Sequence, residues 1–382
     1  MSSSQPLSIL LAPDSFKGSL DASQFCQIAT QVIHSIEPNA EVFSRPMSDG
    51  GEGFVESFTY ADAGEPKSIW VAGPLGKKVK ASFAWQADSL TAIIEMAQAS
   101  GITKVPRADL NPLNTHTYGT GQIIEAAIEL GAKKIILGLG GSATNDGGAG
   151  ALMALGIPLL DSEDKPINLG GSALKSLCKI GEIPPHLLDI EWEIACDVTN
   201  PLLGEDGATQ VFGPQKGANE AQLEILETAL TNYANVLEQH TQKAIHLEEG
   251  AGAAGGMAAG FMALLNAKLT PGFDVINATL KLDELLTNKQ IDYIFTGEGR
   301  FDSQTRFGKL PLRMAELGHQ HQVPTIGICG SLTCSVEELP EFKAIFSIVN
   351  KIMDEHEAMG NAPYLLQQTL LSVVPLLTKL SK

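Results

Sequence analysis

A chain of 382 residues, 44% hydrophobic and 18% charged, is too long for one typical core and too apolar to stay disordered, which predicts about two globular domains. Its formal charge of −18 repels polyanions over the whole surface, which argues against a nucleic-acid partner and makes any phosphate site a local exception. Five cysteines, Cys26, Cys178, Cys196, Cys329 and Cys334, contain no C-x-x-C pair and point to neither a disulfide framework nor a zinc site.

The N-terminal stretch MSSSQPLSILLAPDSF has no basic head and only a short apolar run, so export is not expected and the protein is placed in the cytoplasm. Apolar runs at 8–12 and 41–45 predict strands, each followed by a polar glycine loop and a helical pattern. This βαβα opening points to a parallel sheet. The two loops read PDSFKG and SDGGEG. Residues 69–86 predict a hairpin turning at GPLGKK.

The most informative stretch is 133–150, KKIILGLGGSATNDGGAG, where an apolar strand is expected to run through a glycine turn into a helix. Gly138, Gly140 and Gly141 would let backbone approach an anion, Ser142 and Thr144 add hydroxyls, and the helix start would offer free amides. Because Gly138, Gly140 and Ala143 also satisfy G-x-G-x-x-A, with Asp161 near the spacing of a ribose-binding acid, a dehydrogenase is a competing reading. A non-catalytic sensor of small acids is a third.

Further along, the apolar stretch 190–196 ends in CDVTNP, which would present Asp197 at a strand end beside Asn200. Gln215 and Lys216 in FGPQKGA serve either a nucleotide or a turn, and a long helix is expected around 219–239. Residues 250–267 carry no charge and reach the length of a membrane span, but glycine and alanine dominate them. They read as a close-packed interior helix, and no membrane partner is expected. Runs at 291–296, 323–329 and 344–349 predict further buried strands, and 363–380 a closing amphipathic helix. The first of these runs leads into TGEGRFD, expected as a third acidic glycine loop, with Arg300 as its cation. No Walker sequence and no H-R-D or D-F-G signature occurs.

Moving a phosphoryl group needs cations on the phosphates, carboxylates for magnesium, and a base at the acceptor hydroxyl. The loops supply all three residue types, with Lys17, Arg300 and Lys309 as cations and Asp49, Glu52, Asp197 and Asp302 as acids.

The motifs APDSFKGSL, RPMSDGGEGF, GLGGSATNDGGAGAL, ACDVTNPLLG, VFGPQKGA, GAGAAGGMAAG and TGEGRFDSQTRFGKLP resemble the bacterial glycerate kinase type I family, in order, from Ala12 to about Pro311. That resemblance implies ATP-dependent phosphorylation of D-glycerate, usually to 2-phosphoglycerate, with Mg2+ required and 3-phosphoglycerate as the alternative product. It implies an α/β fold of two domains with the smaller one inserted. Residues 1–66 and 280–382 would form a Rossmann- or flavodoxin-like parallel-sheet domain, and 67–279 an inserted α/β domain with glycine-rich phosphate loops.

On this reading Lys17, Asp49, Asp197 and Glu298 are the catalytic candidates, and Asp14, Ser15, Gly50, Gly51, Asn200, Arg300 and Asp302 bind substrate in an interdomain cleft. Gly140, Gly141, Ser142, Thr144 and Asn145 hold the nucleotide, and Asp49, Glu52 and Asp197 hold the metal. Arg45, Arg300 and Arg306 compete for the glycerate carboxylate, and a homodimer is left open.

Overall fold

The structure, a computed structural model, describes residues 6–48, 50–303 and 305–380. The chain packs as two units. One comprises residues 1–48, 56–63 and 273–382, and the other 49–55 and 64–272. The inserted unit is therefore the longer, not the smaller one, because it carries its own six-stranded sheet and the long helix Glu220–Thr241. The loop 49–55 also groups with it rather than with the strand that precedes it.

The unit built from the chain ends holds a five-stranded sheet in which every pairing is parallel. Its order is Ala344–Ser347, Thr325–Leu332, Tyr293–Phe301, Ser8–Leu11, Glu41–Ser44. The helix Ala22–Ile36 begins at a capping box in which the Asp21 carboxylate accepts the Gln24 amide. It buries Phe25, Cys26, Ala29 and Ile33 along one stripe, where they pack with Ile9, Leu11 and Phe295 of the sheet and Leu366, Leu370 and Val374 of the closing helix Ala362–Leu380. A second cluster gathers Phe301, Leu312, Ala315, Leu339 and Phe342.

The expected loop TGEGRFD is strand instead. Tyr293–Phe301 stays in register with its neighbour as far as Phe301 opposite Leu332, because Gly297 brings no side chain against the Ile328 carbonyl. Glu298 and Arg300 are thus held on a pleated edge and not on a flexible turn.

The inserted unit holds a mixed sheet ordered Lys268–Thr270, Glu191–Ala195, Lys134–Gly138, Thr91–Glu95, Lys78–Gln86, Glu65–Ala72. The first four strands are parallel, and the last two form the expected hairpin, closed by Gly73 N donating to the Lys77 carbonyl (2.6 Å). Its core joins Ile123, Ile124, Leu152, Trp192, Tyr233 and Phe261. All three tryptophans lie in this unit: Trp85 and Trp192 are buried, and Trp70, on the edge strand, is 64% exposed.

Among the described residues no helix is long and apolar enough to cross a membrane. Residues 250–267 do pack tightly, but the helix Ala253–Leu265 is broken at its start, where Ala254, Gly255 and Gly256 take positive φ. A Cβ at Gly255 would collide with the Thr144 carbonyl, so this turn exists to let backbone meet backbone.

Candidate active site

Strand register sets the floor of the site in the inserted unit. Glu95, Gly138 and Ala195 stand side by side at the carboxyl ends of three parallel strands, the edge where α/β sheets bind ligands. Across this floor lies the loop that follows Asp49. A Cβ at Gly50, where φ is +88°, would stand 2.8 Å from the Ala195 carbonyl, and Gly140 N donates to Gly50 O (3.0 Å). The structure thereby brings Gly50, Gly51 and Gly140 together. Asp49 lies outside the described residues.

Glu95, which sequence reasoning passed over, anchors that loop. Only 2% exposed, its carboxylate accepts the backbone amides of Phe54 and Val55, at the start of the helix Phe54–Tyr60, and the Gln98 side chain. Burial, with the nearby Glu52 adding to it and these hydrogen bonds opposing it, pushes its pKa up to about 7. Its Oε2 has no hydrogen-bond partner. A Glu ending an otherwise apolar strand, TAIIE, was the available signal.

The glycine turn reaches its helix late. Residues 139–148 are loop, and the helix Ala149–Ala154 begins only after Gly148 in the left-handed region. The helix start therefore lies at Ala149 and not within 140–145, where Gly140 N goes to Gly50 O and Ala143 N to Ser100 O (2.9 Å). Asp161, the would-be ribose ligand, sits in an exposed turn accepting the Glu163 and Lys165 amides. Both observations remove the support for a dinucleotide fold.

What organises the loop is Asp146. Its buried carboxylate accepts Thr117 N and Thr117 Oγ1 (both 2.8 Å), Gly150 N (3.2 Å) and Gly148 N (3.3 Å). Thr115 Oγ1 donates to the Ala143 carbonyl (2.7 Å), and Gly147 N to the Gly255 carbonyl (3.0 Å). Of the nucleotide candidates, Gly140 and Gly141 reach the surface, Ser142 is nearly enclosed, and Thr144 and Asn145 are wholly enclosed. Thr144 Oγ1 and Asn145 Oδ1 lack hydrogen-bond partners, while Asn145 Nδ2 donates to Thr209 Oγ1 (3.2 Å). Beneath the loop, Lys216 Nζ donates to the Thr144 carbonyl (2.6 Å).

Asp197 follows the strand Glu191–Ala195, exposed as expected, with Oδ1 accepting Gly272 N (2.9 Å). Nearby, Asn200 Nδ2 donates to the Asp206 carbonyl (2.8 Å), closing a turn. Glu52 is exposed. Among the described residues no three His, Cys, Asp or Glu side chains gather as a metal cluster.

In the unit built from the chain ends, Asp14 is buried, with its amide on the Gly297 carbonyl (2.8 Å) and Oδ1 accepting Ser15 N (2.6 Å). Lys17 is exposed. Lys309 Nζ lies 3.4 Å from Glu298 and 3.6 Å from Asp302, and Thr305 Oγ1 donates to Glu298 (3.3 Å). Burial raises the Glu298 pKa and the Lys309 charge opposes the rise. The three arginines separate clearly. Arg45 is half-buried on the Ser44 carbonyl, and Arg306 pairs with Glu338 (3.0 Å). Arg300 is exposed and makes no ion pair among the described residues.

Comparison with known proteins covers nearly the whole chain. A profile of the glycerate kinase family matches residues 9–378. The chain belongs to that family. It is 45% identical to a glycerate kinase of Halalkalibacterium halodurans over 364 residues, covering 94% of this chain and 95% of the relative. Identity to the glycerate 2-kinase of Escherichia coli K12 is 44% over 364 residues, covering 93% and 94%. A crystal structure assigned to glycerate kinase 2 of Salmonella typhimurium superposes with a TM-score of 0.86 at 40% identity, covering 98% of this chain and 99% of that one. The mixed α/β architecture is thus that of a glycerate kinase.

Proposed function

We propose that this chain is a cytoplasmic, ATP-dependent glycerate 2-kinase that transfers the γ-phosphoryl group of ATP to the C2 hydroxyl of D-glycerate, giving 2-phosphoglycerate and ADP. The observation that carries this reading is the near end-to-end similarity to glycerate kinases, one of them named a glycerate 2-kinase. The chemistry of the loops supports it.

Glu52, in the turn before the helix Phe54–Tyr60, and Asp197, just past the strand Glu191–Ala195, are exposed carboxylates, hard oxygen donors that suit an ion content with one or two protein ligands and several waters. Asp49 and these two are the residues that would hold magnesium, which when bound neutralises charge on the β- and γ-phosphate oxygens. Gly140 and Gly141 offer surface backbone to the nucleotide, with Ser142, Thr144 and Asn145 shaping the loop behind them. Arg300, exposed and without an ion pair among the described residues, is the arginine assigned to the glycerate carboxylate, beside Ser15, Asp14 and Asp302. Asp197 takes the proton of the acceptor hydroxyl as its oxygen bonds to phosphorus and the bond to the ADP oxygen breaks. Glu298, held protonation-prone by burial and checked by Lys309, tunes the charge of the acceptor side.

Lys17 is assigned to the transferred phosphoryl oxygens, where charge grows in the transition state. Lys17→Met is expected to lower kcat by about 100-fold while the KM for glycerate moves little; an unchanged kcat removes Lys17 from the mechanism. The reaction itself is tested by incubating the protein with ATP, magnesium and D-glycerate and then adding enolase, which consumes 2-phosphoglycerate directly. A signal that needs an added phosphoglycerate mutase would instead give 3-phosphoglycerate as product, and no ADP formation would end the assignment.

A further inference from the structure

Lys216 stands out because no anion is bonded to its charge. It is 2% exposed, and its ammonium has one hydrogen-bond partner, the neutral carbonyl of Thr144. It enters no ion pair among the described residues, and the nearest acid, Asp146, spends both carboxylate oxygens on Thr117, Gly148 and Gly150. A buried cation without a bonded anion is costly unless another negative charge arrives. The carbonyl it grips belongs to a residue whose own hydroxyl is buried without a partner, and the next residue leaves Oδ1 in the same state.

We propose that Lys216 is a positioning residue for nucleotide use: its ammonium fixes the Thr144 carbonyl and places beneath the Gly140–Asn145 loop a positive charge that a bound polyphosphate completes. This rests on the reading of that loop as the nucleotide-facing one. Burial lowers the Lys216 pKa to about 7, against the opposing field of Asp146, so the ammonium is only partly protonated near neutrality. An incoming polyanion favours the charged form and should draw in a proton. Two other titratable groups lie within the same Asp146 field: His116, lowered chiefly by burial, and Tyr233, raised by burial.

The test is calorimetry of Mg-ADP binding at pH 7 in two buffers of different ionisation enthalpy. If the polyphosphate raises the Lys216 pKa by about one, the wild type takes up about 0.4 proton per nucleotide. Binding of D-glycerate should show no buffer dependence. In Lys216→Met the uptake should vanish, with the KM for ATP raised about tenfold or more and the KM for glycerate within about twofold. Lys216→Arg keeps the charge but not the titration, so it should hold the ATP KM near wild type without proton uptake. It also stands in if Lys216→Met does not fold. No uptake in the wild type, or the same uptake in both variants, overturns the proposal. Uptake that follows glycerate instead also overturns it. If ATP and glycerate give no product, the functional reading fails, while the Mg-ADP experiment still decides the role of Lys216.

Discussion

The glycine loop of the inserted unit and the acidic strand edge of the other unit draw on the same residue types and hold them by opposite means. In the loop, Asp146 and Lys216 are enclosed and anchored by hydrogen bonds within the protein, the shortest of 2.6 to 2.8 Å. Along the edge, Lys309 is a third exposed and reaches Glu298 and Asp302 only at 3.4 and 3.6 Å, while Lys17 and Arg300 face water. An enclosed charge that is matched within the protein, as at Asp146, shapes a rigid surface, and its loss should register mainly as stability. Charges of the second kind are loosely held and able to meet a substrate, so their loss should register mainly as activity.

The largest effect expected from this contrast is at Asp146. Asp146→Ala strands the Thr117 hydroxyl and amide and leaves Lys216 without its one nearby counter-charge, for a loss of about 3–5 kcal/mol by urea denaturation. A loss under about 1 kcal/mol would break the comparison.

Glu95 sharpens it through pH. Its pKa is about 7 in the folded chain against an ordinary value of 4.5, so the stability contributed by its neutral form is complete below pH 4.5 and is lost as the pH rises through 7. The span is worth about 3 kcal/mol. Glu95→Gln should flatten that slope and leave the variant the more stable protein at pH 8, read from Tm across pH 4.5 to 8. A parallel slope in both proteins would mean that another group controls it.

The smallest effect is at the strand edge, where Lys309→Met is expected to change stability by less than about 1 kcal/mol. A change above about 2 kcal/mol would place that ion pair in the same class as the loop network.

Much of the fold was legible in the sequence, because strand, turn and hairpin signals are local. The runs at 8–12 and 41–45, the hairpin and the closing helix each carried their own periodicity and punctuation. The errors came where glycine does two jobs. In TGEGRFD it marked a turn to a reader of sequence but serves close strand pairing, and in GLGGSATNDGGAG it marked a helix start that arrives only at Ala149. Glu95 and Asp146 were not legible as site residues, and Lys216 was legible only as serving either a nucleotide or a turn, since each matters through enclosure by segments far away in the chain. The apolar segment 250–267 was read as tightly packed, but what it packs against, the backbone of Thr144 and Asn145, is a tertiary fact.

The placement of Trp70, Trp85 and Trp192 within a single unit gives the protein a one-sided optical reporter. Indole emission follows the melting of the glycine-loop unit alone, whereas far-ultraviolet dichroism sums over helices in both. Denaturation curves from the two signals will superimpose only if the pair of units unfolds as one cooperative body. A lag between them would measure directly how much more robust one unit is than the other.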